Sequence, residues 1–517
     1  MLLIHPPVAK PCEPPAGVAR LSGALRSAGV NHRVWDANLD CLLALLGGPR
    51  AAPAPGNREG GPWTARAVRD RARNLELLRS RRACGNLDRY RRAVLDLNRV
   101  LETAPGPAAA SARVGLANYR GGDLLPVRSA DLLRAAERPE QNPFFPRFRD
   151  RLREILEGES PSVVGVSLNF LSQALCAFAM IGFLRREYPG LKLALGGGLV
   201  TSWKRGPGGG NPFAGLVDHV VDGPGEHRVL ALSGAHGRLG EPSRPHYGDL
   251  ALGDYLSPGL ILPYAASTGC YWNKCSFCPE RAEGNPYIPI PPESAAAELR
   301  SLSEETKPAL IHLLDNALSP GLLKALAANP PGAPWYGFVR ITRHLADDEF
   351  CAALKRSGCA MLKLGLESGD QGLLDRLGKG ADLGTASRVL ASLKKAGIGA
   401  YVHLLFGTPE ETRAEAQKTL DFTIAHSGAI DYLNLALFNL PINGVEAGNL
   451  DTRVHYEGDL SLYTGFSHPR GWHRGVVRRF LDREFTRHPA IAAILRREPP
   501  IFTSNHAPFF EMARSLW

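Results

Sequence analysis

No apolar run in this chain approaches the roughly 20 residues that a membrane-crossing helix needs. A helical membrane protein is therefore not expected. The opening residues, Met1-Leu-Leu-Ile-His-Pro-Pro, lack both a basic segment and a cleavage site, so no secretory leader is expected. Cysteine is sparse: nine in 517 residues, an odd number, six of them isolated. That argues against a disulfide framework and suits a reducing, cytoplasmic setting. The net charge of +10 comes with no basic stripe interleaved with aromatic residues, so nucleic acid is not an expected partner. What is present is ordinary for a globular chain, 44% hydrophobic and 22% charged, and long enough for two to four domains.

The first residues read as strand, helix, strand. Leu2 to Ile4 is a short apolar strand, Val18 to Ala28 a helix closed by Gly29, and Asn31 to Trp35 a second strand ending at Asp36. A loop rich in Gly, Pro and Ala occupies 46–63. From Thr64 to Glu102 the pattern is helical, with Leu87, Tyr90, Val94, Leu97 and Leu101 on one stripe. The arginines before that stripe could serve a partner. A helical insertion packed on its own protein is the expected reading. The α/β alternation then resumes. Val163 to Leu168 is a strand, Gln173 to Glu187 a helix, Leu191 to Leu195 a strand running into Gly196, Gly197 and Gly198, and Val217 to Val221 a further strand. The pieces 1–45 and 151–240 are expected to form one doubly wound, Rossmann-like sheet, interrupted by a helical insertion at about 46–150. This α/β domain spans 1–245.

Between 250 and 445 strands and helices alternate six times. Strands are expected at 261–267, 309–314, 335–341, 360–366, 398–406 and 431–438. Helices are expected at 293–305, 319–328, 346–357, 383–396 and 410–426. This spacing predicts a partial (β/α)6 barrel with its chemistry at the C-terminal strand ends. The remainder, 446–517, is expected to be an α-rich tail. Its aromatic and His residues (among them Tyr456, Trp472, Phe502 and His506) suggest a lid over the barrel mouth. A second metal site from His468, His473 and His506 is the less favoured reading of the same residues, packing the more favoured.

Three cysteines, Cys270, Cys275 and Cys278, fall on one loop after the first barrel strand. A closed structural zinc site takes four ligands, usually as two pairs, and no second pair follows. An iron–sulfur cluster with one iron not ligated by protein fits the spacing better.

At these residues the chain resembles the radical S-adenosylmethionine enzymes. Their signature is a three-Cys loop with an aromatic residue just before the last Cys, a place that Phe277 fills. Four residues, Tyr271 to Lys274, separate the first two cysteines where the family usually has three. The extra residue is expected to bulge outward, away from the cluster. Further along, Leu313-Leu-Asp-Asn-Ala317, Phe338-Val-Arg-Ile341, Leu364-Gly-Leu-Glu-Ser-Gly369 with Leu374-Asp-Arg-Leu-Gly-Lys-Gly380, and Phe406-Gly-Thr-Pro-Glu-Glu-Thr412 resemble the family's later strand ends in their usual order.

The resemblance implies a [4Fe-4S] cluster on Cys270, Cys275 and Cys278, with S-adenosylmethionine chelated at the open iron. It implies reductive cleavage to methionine and a 5′-deoxyadenosyl radical, with an external electron donor such as flavodoxin or ferredoxin. Glu367 and Ser368 are candidates to grip the cofactor's amine or ribose, Asp315 and Arg340 follow, Arg340 toward the methionine carboxylate, and Gly407 would admit the adenine.

The N-terminal region resembles the cobalamin-binding domain of one large subgroup. There Ser167, Gly196, Gly197 and Gly198 would contact the corrin or its nucleotide tail. The subgroup's Asp-x-His-x-x-Gly motif is missing, since Asp218-His219 is followed by Val-Val-Asp-Gly. The expected function is cobalamin-dependent methyl transfer to an unactivated carbon or phosphorus. Two alternatives stand beside it: cobalamin-independent rearrangement, cyclisation or C–H abstraction, and a non-catalytic iron–sulfur or zinc protein that binds a partner. The substrate, small molecule or peptide, is not legible.

Overall fold

A computed structural model describes residues 1–517 apart from 49–60, 207–210, 236–242, 454–457, 501 and 515–517. Most of the Gly/Pro/Ala-rich loop and Tyr456 thus lie outside the described residues. The chain divides into two compact units. One is Met1–Leu260 with short returns at 457–461 and 500–502; the other is the rest from Ile261 onward.

The first unit is built on a five-stranded parallel sheet. Across the sheet the strands run Arg33–Asp36, Leu2–His5, Val163–Ser167, Lys192–Gly196 and His219–Val220. Leu3 pairs with Val34 on one side and Gly165 on the other, so the two α/β segments join in one sheet across the insertion. Leu2 to His5 are all buried, as expected of a strand covered on both faces.

Within the insertion, the stretch expected as one long helical run is three helices, Pro62–Arg69, Arg71–Arg79 and Leu87–Glu102. The break lies at Ser80 and Asn86. Their side chains accept from the N–H of Arg82 and Arg89 and start new turns. The apolar stripe is buried from Tyr90 to Leu101. The insertion closes on a buried carboxylate. Asp96 accepts from the Trp63 indole at 2.9 Å, from Arg66 at 3.0 Å and from Asn74 at 3.5 Å. Arg69 and Arg73 pair with Asp70, and Arg79 donates to the Asp254 carbonyl at 2.6 Å. Four of the arginines that cover this stretch are thus held by their own chain, the reading favoured from the sequence.

The second unit is a six-stranded parallel sheet whose strands neighbour one another in chain order: Ile261–Tyr264, Leu310–Leu313, Trp335–Val339, Cys359–Glu367, Gly399–Phe406 and Tyr432–Leu437. First and last strands are not paired, which makes it a partial barrel. The helices between them, from Pro292–Thr306 to Arg413–Ala425, lie where the sequence pattern put them. The tail carries helices at Arg474–Phe480, Pro489–Leu495 and His506–Arg514. It also forms a small antiparallel sheet of Leu440–Pro441, Tyr463–Phe466 and Thr452–Arg453 that the sequence did not announce.

The lid expectation needs correction for the chain end. His506 stacks on Tyr401 at 4.4 Å and meets Tyr432 edge-on, and Ala507 joins the core of Ile261, Leu310 and Tyr336. These residues open their strands, so the segment plugs the floor of the barrel and not its mouth. Apolar side chains at the strand starts leave a hydrophobic end that must be covered.

Removing the Asp96 carboxylate strands three donors in a buried place. Asp96→Ala is expected to destabilise the first unit by about 2 kcal/mol, read as a lower denaturation midpoint with the second unit unchanged.

Candidate functional site

The cysteine loop leaves the first barrel strand and is tied at its root. The N–H of Ala266 donates to Asp315 at 3.0 Å, and the Ser267 hydroxyl donates to the same carboxylate. Asn316 donates to the Gly269 carbonyl at 3.2 Å. Ser267–Thr268 pair with Ile288–Pro289 as a two-stranded ladder. The second strand's Asp-Asn end thus holds the first strand's loop in place. Asp315, expected near the cofactor, is buried and serves here as an anchor of that loop.

All three cysteines are partly exposed, while the other six are buried. Cys275 is pushed up to about 11 by burial, against the pull of Lys379, and it also feels Cys278. Burial raises Cys278 too, and Cys270 adds to the rise. The three thiols therefore stand within electrostatic reach of one another on one loop. Cys359 opens the fourth strand at its other end, and Cys351 lies in a helix. This donor set, one-sided and half-exposed, fits a cluster held by three thiolates. Among the described residues, no three His, Cys, Asp or Glu side chains are gathered around a single-ion position.

The stretch Tyr271 to Lys274 does not simply bulge outward. Asn273 and Lys274 are exposed, with Asn273 in the left-handed region at φ 46°. Trp272 folds back. Its indole donates to the Gly378 carbonyl at 2.9 Å, and its ring lies 3.6 Å beneath the Arg340 guanidinium. A Cβ at Gly380 would meet that ring at 2.3 Å and one at Gly378 would meet the Lys274 carbonyl at 2.7 Å, so the Gly-Lys-Gly run is what admits the tryptophan. Arg340 is buried and donates to the Lys379 carbonyl, while its Nε has no hydrogen-bond partner among the described residues.

Between the two glycines, Lys379 enters the barrel. Its ammonium is 2.7 Å from Glu367, with side chains only 8% and 14% exposed, and 5.8 Å from the centre of the Phe277 ring. Burial opposes the charge on Lys379, but Glu367 and Cys275 outweigh it and the net direction is up. A Cβ at Gly365 would lie 2.6 Å from the ammonium, so the pair occupies space that only glycine leaves. Glu367 itself sits at φ 68°, after a register irregularity in the fourth strand, a strained place for a non-glycine residue. Its neighbour Ser368 is buried, with its hydroxyl 3.1 Å from that of Thr419 and accepting from the N–H of Asp370. Those bonds fix the loop and leave Glu367 as the one of the two that pairs with Lys379.

After the fifth strand, Gly407 has φ 83° and its N–H donates to Glu411. The Trp472 indole donates to the same oxygen at 2.9 Å. Burial raises Glu411 to about 8, although both donors pull the other way. His468 lies 2.8 Å from the Thr408 carbonyl, and its other ring nitrogen accepts from the N–H groups of Arg470 and Trp472. His468 and His506 are therefore packing residues at different strand ends.

In the first unit, the predicted residues meet at the sheet's carboxyl edge, where chain order reverses beside Leu2–His5. Asn169 donates to Ser167 at 3.1 Å and accepts from the Gly198 N–H at 3.0 Å. Gly197, at φ 111°, is required by the turn, since a Cβ would lie 2.4 Å from the Leu168 carbonyl. Gly196 packs on Val221, and Gly198 faces more open space. Phe170 beside them is 56% exposed. His219 lies on the edge strand next to Arg228.

Sequence reasoning gave no role to Trp272, Lys379, His312, Lys363 or His403. The signal was there in the last three: single polar residues at alternate positions of apolar strands.

Residues 264–423 match the Radical SAM superfamily. That stretch is a radical SAM domain, and the three cysteines lie within it. Among curated proteins, the uncharacterized methyltransferase PH0819 of Pyrococcus horikoshii is 27% identical over 44% of this chain, which spans about half (52%) of that protein's length. Among solved structures, the fold is similar to that of TsrM from Kitasatospora setae, a radical S-adenosylmethionine methyltransferase solved with cobalamin and a [4Fe-4S] cluster. The TM-score there is 0.56 at 14% identity, covering 99% of this chain and 98% of that one. The cobalamin-dependent S-adenosylmethionine radical enzyme OxsB, with aqua-cobalamin bound, gives 0.51 at 14% identity, covering 71% and 65%.

Glu411 carries a pH signature. Its folded pKa of about 8 lies above the ordinary carboxylate value of about 4.5, so the folded chain holds a proton that the unfolded chain releases. Its contribution to stability is whole at low pH and is lost as pH rises toward 8. Glu411→Gln is expected to flatten that part of the denaturation-midpoint profile while keeping an acceptor for Trp472.

Proposed function

We propose that this enzyme cleaves S-adenosylmethionine reductively at a [4Fe-4S] cluster and transfers a methyl group, with cobalamin, to an unactivated carbon or phosphorus centre. The observation that carries the reading is the loop: three partly exposed thiols, Cys270, Cys275 and Cys278, gathered on one segment at the carboxyl end of the first barrel strand. Cys270, Cys275 and Cys278 would hold the cluster, with Asp315 and Asn316 bracing the loop from the second strand. When bound, the cluster supplies the electron that breaks the sulfonium bond. The chain's own residues have narrower tasks. Arg340, fixed against Trp272 and with an unused buried Nε, is suited to the methionine carboxylate. Glu367, paired with Lys379 at 2.7 Å, is suited to the amine or the ribose. Phe277, its ring 5.8 Å from the Lys379 ammonium, would flank the cofactor, and Gly407 would give the backbone access that an adenine needs. Flavodoxin or ferredoxin is the electron donor in this reading.

For cobalamin, the support is the doubly wound sheet ahead of the barrel, an order of domains in keeping with the similarity to TsrM and OxsB. Ser167 and Gly196, Gly197 and Gly198 would line the corrin's side, with Gly198 and the exposed Phe170 the surfaces open to it. The chain has no Asp-x-His-x-x-Gly motif, so cobalamin would be bound without that motif's His. The same absence favours the second reading, in which the barrel works without cobalamin in rearrangement, cyclisation or C–H abstraction.

Anaerobic reconstitution is expected to load about four irons per chain with a broad absorption near ~400 nm. Replacing Cys270, Cys275 and Cys278 by Ala is expected to abolish both. Full iron content in that variant would refute the site. A corrin spectrum retained through gel filtration supports the methyl-transfer reading, and its loss supports the second.

A further inference from the structure

Below the Glu367–Lys379 pair the barrel interior is polar where the strands around it are apolar. Strand register gives the layers. Phe338, Lys363, Tyr401 and Tyr432 stand in one row, and Gly365, His403 and Asn434 in the next toward the carboxyl end. The Gly365 position is the one that Lys379 and Glu367 occupy. His403 therefore lies in the row directly at the level of that pair.

The imidazole is held on three sides. Phe338 and Tyr401 pack on it with ring centres 4.6 Å away, and the Asn434 amide nitrogen is 2.9 Å from Nδ1. With Nδ1 accepting from that amide, the ring proton sits on Nε2. Nε2 is buried and has no hydrogen-bond partner among the described residues. Burial lowers the pKa of His403 to about 3, helped by Lys363, His506 and Lys379, so the ring is neutral and acts as a fixed donor. A buried N–H left unpaired is costly and is uncommon in folded proteins. The charge of Lys379 is met by Glu367, and the Lys363 ammonium, in the adjacent row, is the cation beside which an anion would sit. The flat floor is aromatic: His312 stacks on Tyr336 at 4.4 Å, and the Lys363 ammonium lies 5.0 Å and 5.1 Å from the ring centres of Tyr336 and Phe338.

We infer that His403 is a substrate-binding residue whose Nε2–H, on the inner face of the fifth barrel strand, donates to a carboxylate oxygen of a small substrate with a flat apolar body. This rests on the radical SAM reading for the identity of the reaction, but the donor itself is a property of the barrel. Benzoate is the probe, with benzyl alcohol as its uncharged counterpart, titrated calorimetrically into the full-length protein reconstituted with iron. Benzoate is expected to bind the wild type and to bind His403→Phe at least about tenfold more weakly. His403→Gln, whose amide restores a donor near Nε2, should recover part of the loss, and benzyl alcohol should not distinguish the three. Equal benzoate affinity in His403→Phe, or no benzoate binding by iron-loaded wild type, overturns the inference. Should His403→Phe not fold, Asn434→Leu, which frees Nδ1 to take the proton, must weaken benzoate binding for the inference to stand. Iron content measured on the same samples separates the two ideas. A protein that takes up no iron yet binds benzoate through His403 sinks the cluster and keeps the donor.

Discussion

The ion pair between Lys379 and Glu367 is the interaction on which the barrel's working end depends. Two charges taken out of water are tolerated only when each has the other at hydrogen-bond distance, and here that distance is 2.7 Å. The pair needs three concessions from the chain. Gly365 must lack a side chain, Glu367 must accept a left-handed backbone, and Lys379 must arrive between two glycines. In return the ammonium stands beside Cys275 and the Phe277 ring, and the Arg340 guanidinium reaches the Lys379 carbonyl. One pair thereby links the thiol loop, the third strand's arginine and the fourth strand's carboxylate.

The loop that carries the cysteines has a second set of constraints, and they come from different strands. Asp315 and Asn316 hold its root, and Gly378 and Gly380 receive the indole of Trp272. The extra residue between Cys270 and Cys275 is accommodated by this docking. Only Asn273 and Lys274 remain in solvent, while Tyr271 and Trp272 return to the protein around Arg340.

Much of the architecture was legible in the sequence because its signals are local. Apolar runs of strand length, amphipathic helices and Gly-terminated turns placed all six barrel strands and the five parallel strands of the first sheet near their observed bounds. The thiol loop was legible because its three ligands are close in sequence. The stretch to Glu102 was read as one helical run, but Ser80 and Asn86 accept from the N–H groups that follow them and start Leu87–Glu102 as a separate helix. The tail was misjudged where its aromatic residues allowed two destinations. His506 and Ala507 bury on the strand starts, a choice that composition does not encode.

By itself the sequence determined the element order, the two sheets, the cysteine loop and the candidate strand-end residues, because periodicity and motif spacing are written along the chain. Only the tertiary structure decided what those residues do to one another. It paired Glu367 with Lys379, laid Trp272 under Arg340, turned Asp315 and Ser368 into anchors, and left Nε2 of His403 with no partner among the described residues. The physical reason is that burial, charge pairing and ring packing act between residues tens to hundreds of positions apart. Which partner a buried polar group finds is fixed by the register of neighbouring strands, a quantity that no single stretch of sequence contains.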